Sequence, residues 1–248
     1  MNTDASMPAL SRENLVVVHA GLVVVVSAWL FGGLGRHGEW IVALLACPAW
    51  VFLALEWRAR RLAGDTQGSR RLVRWTAPLL GLAALVVISA LNPSHRPAVI
   101  QETTILRPVP HIEWLPASAN PQGSLRVLAC LGSLAATGLA VLFAVSSRTA
   151  LRTLLLVLAL NAIGLSVLGT LQKQVGAEGI YFGRFPAANE RWFATFHYYN
   201  HWGAFAVLHA AIALSLVFYS LKKPPARGWS FGPGPLLAIA ALLIAATA

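Results

Sequence analysis

Apolar blocks of bilayer length constrain this chain more than any other feature. An α-helix rises 1.5 Å per residue, so roughly 20 residues cross a hydrocarbon core of ~30 Å. Six blocks meet or approach that length: residues 15–34, 40–57, 75–91, 125–146, 151–171 and 202–221. A seventh, 236–248, has 13 residues and no polar flank, and reads as a span cut within its helix. The pattern predicts an all-α fold, a polytopic integral membrane helical bundle. It is expected to form a single transmembrane domain over 1–248, with six complete spans and a truncated seventh. The first block is not a secretory signal: its apolar run exceeds a 7–15 residue core and no small-residue cleavage site follows.

Composition excludes the main alternatives. Charged residues make up 11% of the 248 and hydrophobic residues 57%, against roughly 25% and 45–50% in soluble domains. A soluble enzyme, a disordered tail and a coiled coil are all out of line with these values. The net charge of +10 would suggest nucleic acid in a soluble chain, but here the basic residues collect where spans end. No nucleic-acid partner is expected; membrane lipids are.

The same charge predicts orientation. One set of alternate loops (the N-terminus, 58–74, 147–152 and 222–235) holds twelve Lys and Arg, and the other set holds seven. The short 58–74 segment alone carries Arg58, Arg60, Arg61, Arg70, Arg71 and Arg74. Positive residues favour the cytoplasmic side, so the N-terminus is expected inside. The loops 92–124 and 172–201 are then outside. Six of the fourteen prolines fall in 92–124, which predicts an extended or turned outer loop, because proline fixes φ and lacks an N–H. Trp114 and Leu115 read as an interfacial anchor there.

Chemistry is expected in the second outer loop. Arg184, Arg191, His197, Asn200 and His201 lie within 18 residues, just before an apolar helix. Arginine presents a planar fork that grips phosphate or carboxylate in two bonds. Histidine exchanges a proton near neutral pH. Tyr198 and Tyr199 suit a sugar face or the headgroup level. The set fits an anionic, sugar-bearing lipid, or alternatively an ordinary interfacial loop.

The i, i+4 spacing of His197 and His201 would put both on one helical face, as in a zinc pair. The third ligand would have to be Glu190 or His209, and no HExxH pattern is present, so no metal is expected. Within the spans, His19 and Asn161 read as helix–helix hydrogen-bonding groups, and His209 as a group that could line a cavity below the cluster. Cys47 and Cys130 lie in apolar blocks without ligand spacing. No P-loop, dinucleotide fingerprint or nucleophile elbow occurs, and no cofactor is expected.

Three stretches carry a family resemblance: Leu171-Gln172-Lys173, Phe182-Gly183-Arg184-Phe185 and Tyr199-Asn200-His201-Trp202-Gly203-Ala204-Phe205. Together they resemble the O-antigen ligase and polymerase superfamily. Its members place a Gln after a span, then a Gly-x-Phe step, then an Asn-His element opening the next helix. The stretch Trp114–Pro121 is also similar, and the likeness covers roughly residues 108–221. It implies a membrane glycosyltransferase of the bacterial inner membrane. Such enzymes move a glycan from an undecaprenyl-diphosphate carrier to an acceptor glycolipid, glycan or protein at the periplasmic face. Asn200 and His201 match the Asn-His element, and Arg184 or Arg191, the latter nearer the helix start, would correspond to the arginine on the diphosphate. The family's Ser-Arg element and its catalytic-His loop follow later spans. The resemblance therefore implies that the catalytic residues lie beyond Ala248 and that this chain alone is inactive. The competing reading is a membrane transporter or a non-catalytic scaffold. A proton-coupled transporter is disfavoured because no Asp or Glu sits at mid-span.

Overall fold

A computed structural model describes residues 11–30, 36–100, 103–187, 190–221 and 234–247. Within these, six helices are long and apolar enough to cross a membrane: Arg12–Trp29, Gly38–Leu62, Thr66–Leu91, Pro121–Ala144, Arg148–Gln174 and Tyr199–Leu221. At 1.5 Å per residue, their 18 to 27 residues reach about 27–40 Å. The chain is a multi-pass, all-α membrane protein. It divides into two compact units, one of residues 1–38 with 145–248 and one of residues 39–144.

The second span is in fact two helices, α2 (Arg36–Ala46) and α3 (Pro48–Leu62). The break falls where Pro48, which has no N–H to donate, takes the first turn of α3. The helix α4 (Thr66–Leu91) starts nine residues before the expected third block. Asp65 caps it, accepting from Gly68 N at 2.8 Å. The expected loop 58–74 is therefore corrected to a turn at Ala63–Asp65. Its six arginines lie on α3 and α4, because long side chains can leave the helix for water while the backbone stays paired.

The segment 92–120 is extended or turned as expected, while 121–124, also expected in that loop, already belong to the next helix, and the segment folds further than proline content alone suggests. Strands β1 (His95–Ile100) and β2 (Thr103–Pro108) pair antiparallel, Ile100 opposite Thr103 and His95 opposite Pro108. Buried Asn92 holds the base of this loop. Its Nδ2 donates to the carbonyls of Ile112, Leu115 and Pro116 at 2.9–3.3 Å, and its Oδ1 accepts from Ile112 N at 2.9 Å. Trp114 is exposed, as an interfacial anchor requires. Helix α5 (Pro121–Ala144) returns against α3 and α4. Cys130 is buried beside Val42 and Ala43, and Cys47 is exposed.

The other unit packs α1 (Arg12–Trp29), α6 (Arg148–Gln174), α7 (Tyr199–Leu221) and α8 (Gly234–Ala246). Glu13 ties two helix starts together. It lies in the first turn of α1, and its Oε1 accepts from Ser146 N and Ser147 N at 2.7 and 2.5 Å. A carboxylate there also complements the positive end of α6. Asn161 Oδ1 accepts from Trp29 Nε1 at 2.8 Å, which is the interhelical role its position suggested. The seventh block forms α8, in contact with α6 and α7. Residues 31–35, Lys222, Lys223 and Arg227 lie outside the described residues.

Candidate functional site

The segment between α6 and α7 is built around buried polar and aromatic groups, among them Gln172 and Trp202 of the stretches that carry the resemblance. Gln172, at the end of α6, is fully buried. Its Nε2 donates to the Ala194 carbonyl at 3.1 Å and its Oε1 accepts from Phe182 N at 3.1 Å. One side chain thus fastens both limbs of the segment.

The first limb is a short hairpin, β3 (Gly179–Ile180) with β4 (Phe185–Pro186). Its Tyr181 donates to the Trp29 carbonyl at 2.5 Å. Burial pushes the Tyr181 phenol above its usual pKa. In the second limb Phe193 and Phe196 exchange backbone bonds of 2.8 and 3.1 Å across a tight turn at Ala194 and Thr195. Thr195 Oγ1 donates to the Ala28 carbonyl at 2.6 Å. Tyr181 and Thr195 therefore satisfy carbonyls at the C-terminal end of α1, which has none of its own helical donors left to fill them.

Aromatic packing completes the plug. Phe193 and Phe196 lie 4.9 and 5.7 Å from the Trp202 ring, and Trp202 Nε1 donates to the Thr247 carbonyl at 2.6 Å. Lys173 Nζ sits 3.9 Å over the Trp192 ring, a cation–π contact. Non-glycine residues at positive φ among the described residues are Tyr181 (53°), Phe182 (60°) and Ala194 (52°). All belong to this segment. Such backbone costs of order 1–3 kcal/mol each and persists only where the surroundings enforce it; here Gln172 bonds two of the three.

The expected site residues decorate this plug rather than fill it. Arg191 is exposed, and its carbonyl accepts from Tyr199 N at 2.8 Å. That bond sets Arg191 at the N-terminus of α7, where the helix dipole is positive and the first turn carries no acid. Asn200 and His201 are exposed in that same turn, and the His201 ring meets Tyr198 edge-on at 5.4 Å. Tyr198 and Tyr199 are exposed too. Arg184 is exposed on the β3–β4 turn, a different piece of backbone from the other four. His197 is half-buried, and desolvation lowers its pKa.

One expectation needs correction. His197 precedes α7, which begins at Tyr199, so His197 and His201 do not share a helical face and their spacing is not that of a zinc pair. The structure gives His209, read from the sequence as a group that could line a cavity, a packed position. It is buried within α7, stacked on Phe205 at 3.8 Å, with Nδ1 2.7 Å from the Phe205 carbonyl.

The geometry allows specific chemistry. Arg191 beside a helix N-terminus makes a positive edge suited to phosphate oxygens. The tyrosine rings offer faces for a sugar, and the Asn200 amide can pair with hydroxyls. A histidine held neutral at pH 7 can accept a hydroxyl proton. Comparison of the chain with protein-family models, with curated proteins and with solved structures finds no match.

Proposed function

We propose that this chain belongs to a glycan-transfer system of the O-antigen ligase and polymerase type, and that it holds the lipid-diphosphate donor. In this reading it sits in a bacterial inner membrane with its N-terminus cytoplasmic. The segment 175–201 then faces the periplasm. Arg191, with Arg184, takes the diphosphate of an undecaprenyl-linked glycan. Tyr198, Tyr199, Asn200 and His201 take its first sugars. His197, half-buried beside them on the same segment, completes the donor-binding set, and the base for the acceptor hydroxyl lies outside this set. The acceptor is a glycolipid, a glycan or a protein.

The observation that carries this reading is the contrast between the plug and its rim. The interior of the segment is fixed by Gln172, Thr195 and Trp202, while the phosphate- and sugar-competent side chains are turned to the surface. An ordinary interfacial loop has no need of such fixation. A preorganised anion edge does, because ordering it on binding would cost affinity.

Crosslinking in cells tests the proposal. A photo-crosslinking residue in place of Asn200 should capture a polyprenyl-diphosphate glycan, releasing sugar on mild acid. Capture of bulk phospholipid alone, at the level seen for a crosslinker at lipid-facing Leu160, would reject it.

A further inference from the structure

The unit of residues 39–144 carries a second basic feature, far from the α6–α7 segment in sequence. A cavity of about 450 Å³ opens beside the α3–α4 turn. Arg61, Arg70 and Arg74 line it, together with Trp57, Thr66 and Val73. The two carboxylates closest to it in sequence are already committed elsewhere. Glu56 and Asp65 both close on Arg60, at 2.8 and 3.4 Å, and Arg60 Nη2 also donates to the Phe143 carbonyl at 2.9 Å. Among the described residues, Arg61, Arg70 and Arg74 have no carboxylate partner. Arg61 instead lies 4.9 Å over the Trp57 ring.

We propose that this cavity binds the headgroup of an anionic phospholipid from the leaflet that surrounds the α3–α4 turn. Three uncompensated guanidiniums around one cavity fit phosphodiester oxygens, which arginine takes in paired bonds. The turn ends two membrane spans, so the cavity sits at headgroup level, with Trp57 as an interfacial ring. Exposed Val51, Leu55, Val73 and Leu80 on the same helices offer an apolar flank for acyl chains. With three positive charges, a two-phosphate headgroup is preferred over one phosphate. General attraction of basic residues, worth about 1 kcal/mol each, needs the surface potential of an acidic leaflet; a cavity of fixed geometry holds one headgroup in neutral detergent, where that potential is absent. The inference does not depend on the proposed donor site, whose arginines are Arg184 and Arg191.

The test titrates tetraoleoyl cardiolipin, dioleoyl phosphatidylglycerol, dioleoyl phosphatidylcholine and sodium phosphate against the purified chain in neutral detergent, read by native mass spectrometry. Cardiolipin should bind tightest, then phosphatidylglycerol, with phosphatidylcholine at background. The double variant Arg70→Gln with Arg74→Gln should weaken cardiolipin about 25-fold, roughly fivefold for each arginine whose headgroup bonds are lost. Arg58→Gln with Arg71→Gln removes equal charge from the same helices outside the cavity, and should change binding less than twofold. Equal losses in the two double variants would overturn the proposal, leaving charge without a site. Displacement of cardiolipin by millimolar phosphate would also overturn it, identifying a soluble anion as the occupant. If the cavity variant unfolds, the single change Arg74→Gln gives the same comparison against Arg71→Gln.

Discussion

The Gln172 side chain donates to the Ala194 carbonyl across 3.1 Å, joining residues that are 22 apart in the chain. Its oxygen is occupied as well, by Phe182 N. Gln172→Leu keeps the bulk, leaves the buried Ala194 carbonyl without a partner at about 1–3 kcal/mol in water-based systems, and also frees the part-buried Phe182 N–H. The variant should lose roughly 2 kcal/mol or more in reversible unfolding by denaturing detergent. Gln172→Glu, which keeps an acceptor for Phe182 N, should be destabilised as well, because a buried carboxylate then faces the Ala194 carbonyl. Wild-type stability in Gln172→Leu would show that the staple carries no energy.

Gly169 on α6 is the floor under the Phe193 ring: a Cβ there would run into that ring. Phe193 is buried and packed on Trp202, so it has little room to yield. Gly169→Ala should cost about 1–3 kcal/mol through overpacking. The double variant Gly169→Ala with Phe193→Leu should recover part of that loss. Absence of any coupling between the two sites in a double-mutant cycle would contradict this packing.

Trp29 donates to Asn161 at 2.8 Å between α1 and α6. Hydrogen bonds between membrane helices average about 0.6 kcal/mol and reach about 1.7. Trp29→Phe should therefore cost about 1 kcal/mol in the same unfolding measurement, and Asn161→Leu a similar amount. The two losses should be less than additive, since each variant removes the same bond.

His197 titrates lower in the folded protein than its ordinary ~6.5. As pH falls through ~6.5 the unfolded chain takes up a proton that the folded chain resists, so stability declines below that value. Above about pH 6.5 both states hold the neutral ring and this penalty is absent. The unfolding midpoint, followed from pH 7.5 to 5.5, should fall more steeply for wild type than for His197→Gln. Parallel curves would place the histidine in water-like surroundings.

The spans were legible because bilayer thickness dictates the length of an apolar helix, and a run of about twenty residues has few other meanings. Their ends were less so. Arg70, Arg71 and Arg74 marked a loop on charge alone, yet Asp65 caps a helix that runs straight through them. Proline content announced an extended segment, but the antiparallel register of β1 on β2 is not something composition specifies. At the α6–α7 segment the surface residues Arg191, Asn200 and His201 were read from their chemistry. The residues that position them were not. Thr195 meets Ala28 across 167 positions and Tyr181 meets Trp29 across 152, and a short polar residue next to phenylalanines gives no sign of such a partner. Tyr181, Phe182 and Ala194 at positive φ were equally hidden, since glycine is the usual marker of that backbone.

Binding of undecaprenyl diphosphate to the purified chain tests the central claim most directly. Isothermal titration in neutral detergent should show saturable binding of undecaprenyl diphosphate and none of undecaprenol. Arg191→Gln should weaken it at least tenfold, in line with the loss of a charge-assisted hydrogen bond of about 1.5–3 kcal/mol. In the background of Arg70→Gln with Arg74→Gln, which removes the second basic cavity, the Arg191-dependent binding should persist. Equal affinity for undecaprenyl diphosphate in wild type and in the Arg184→Gln, Arg191→Gln double variant would contradict the account.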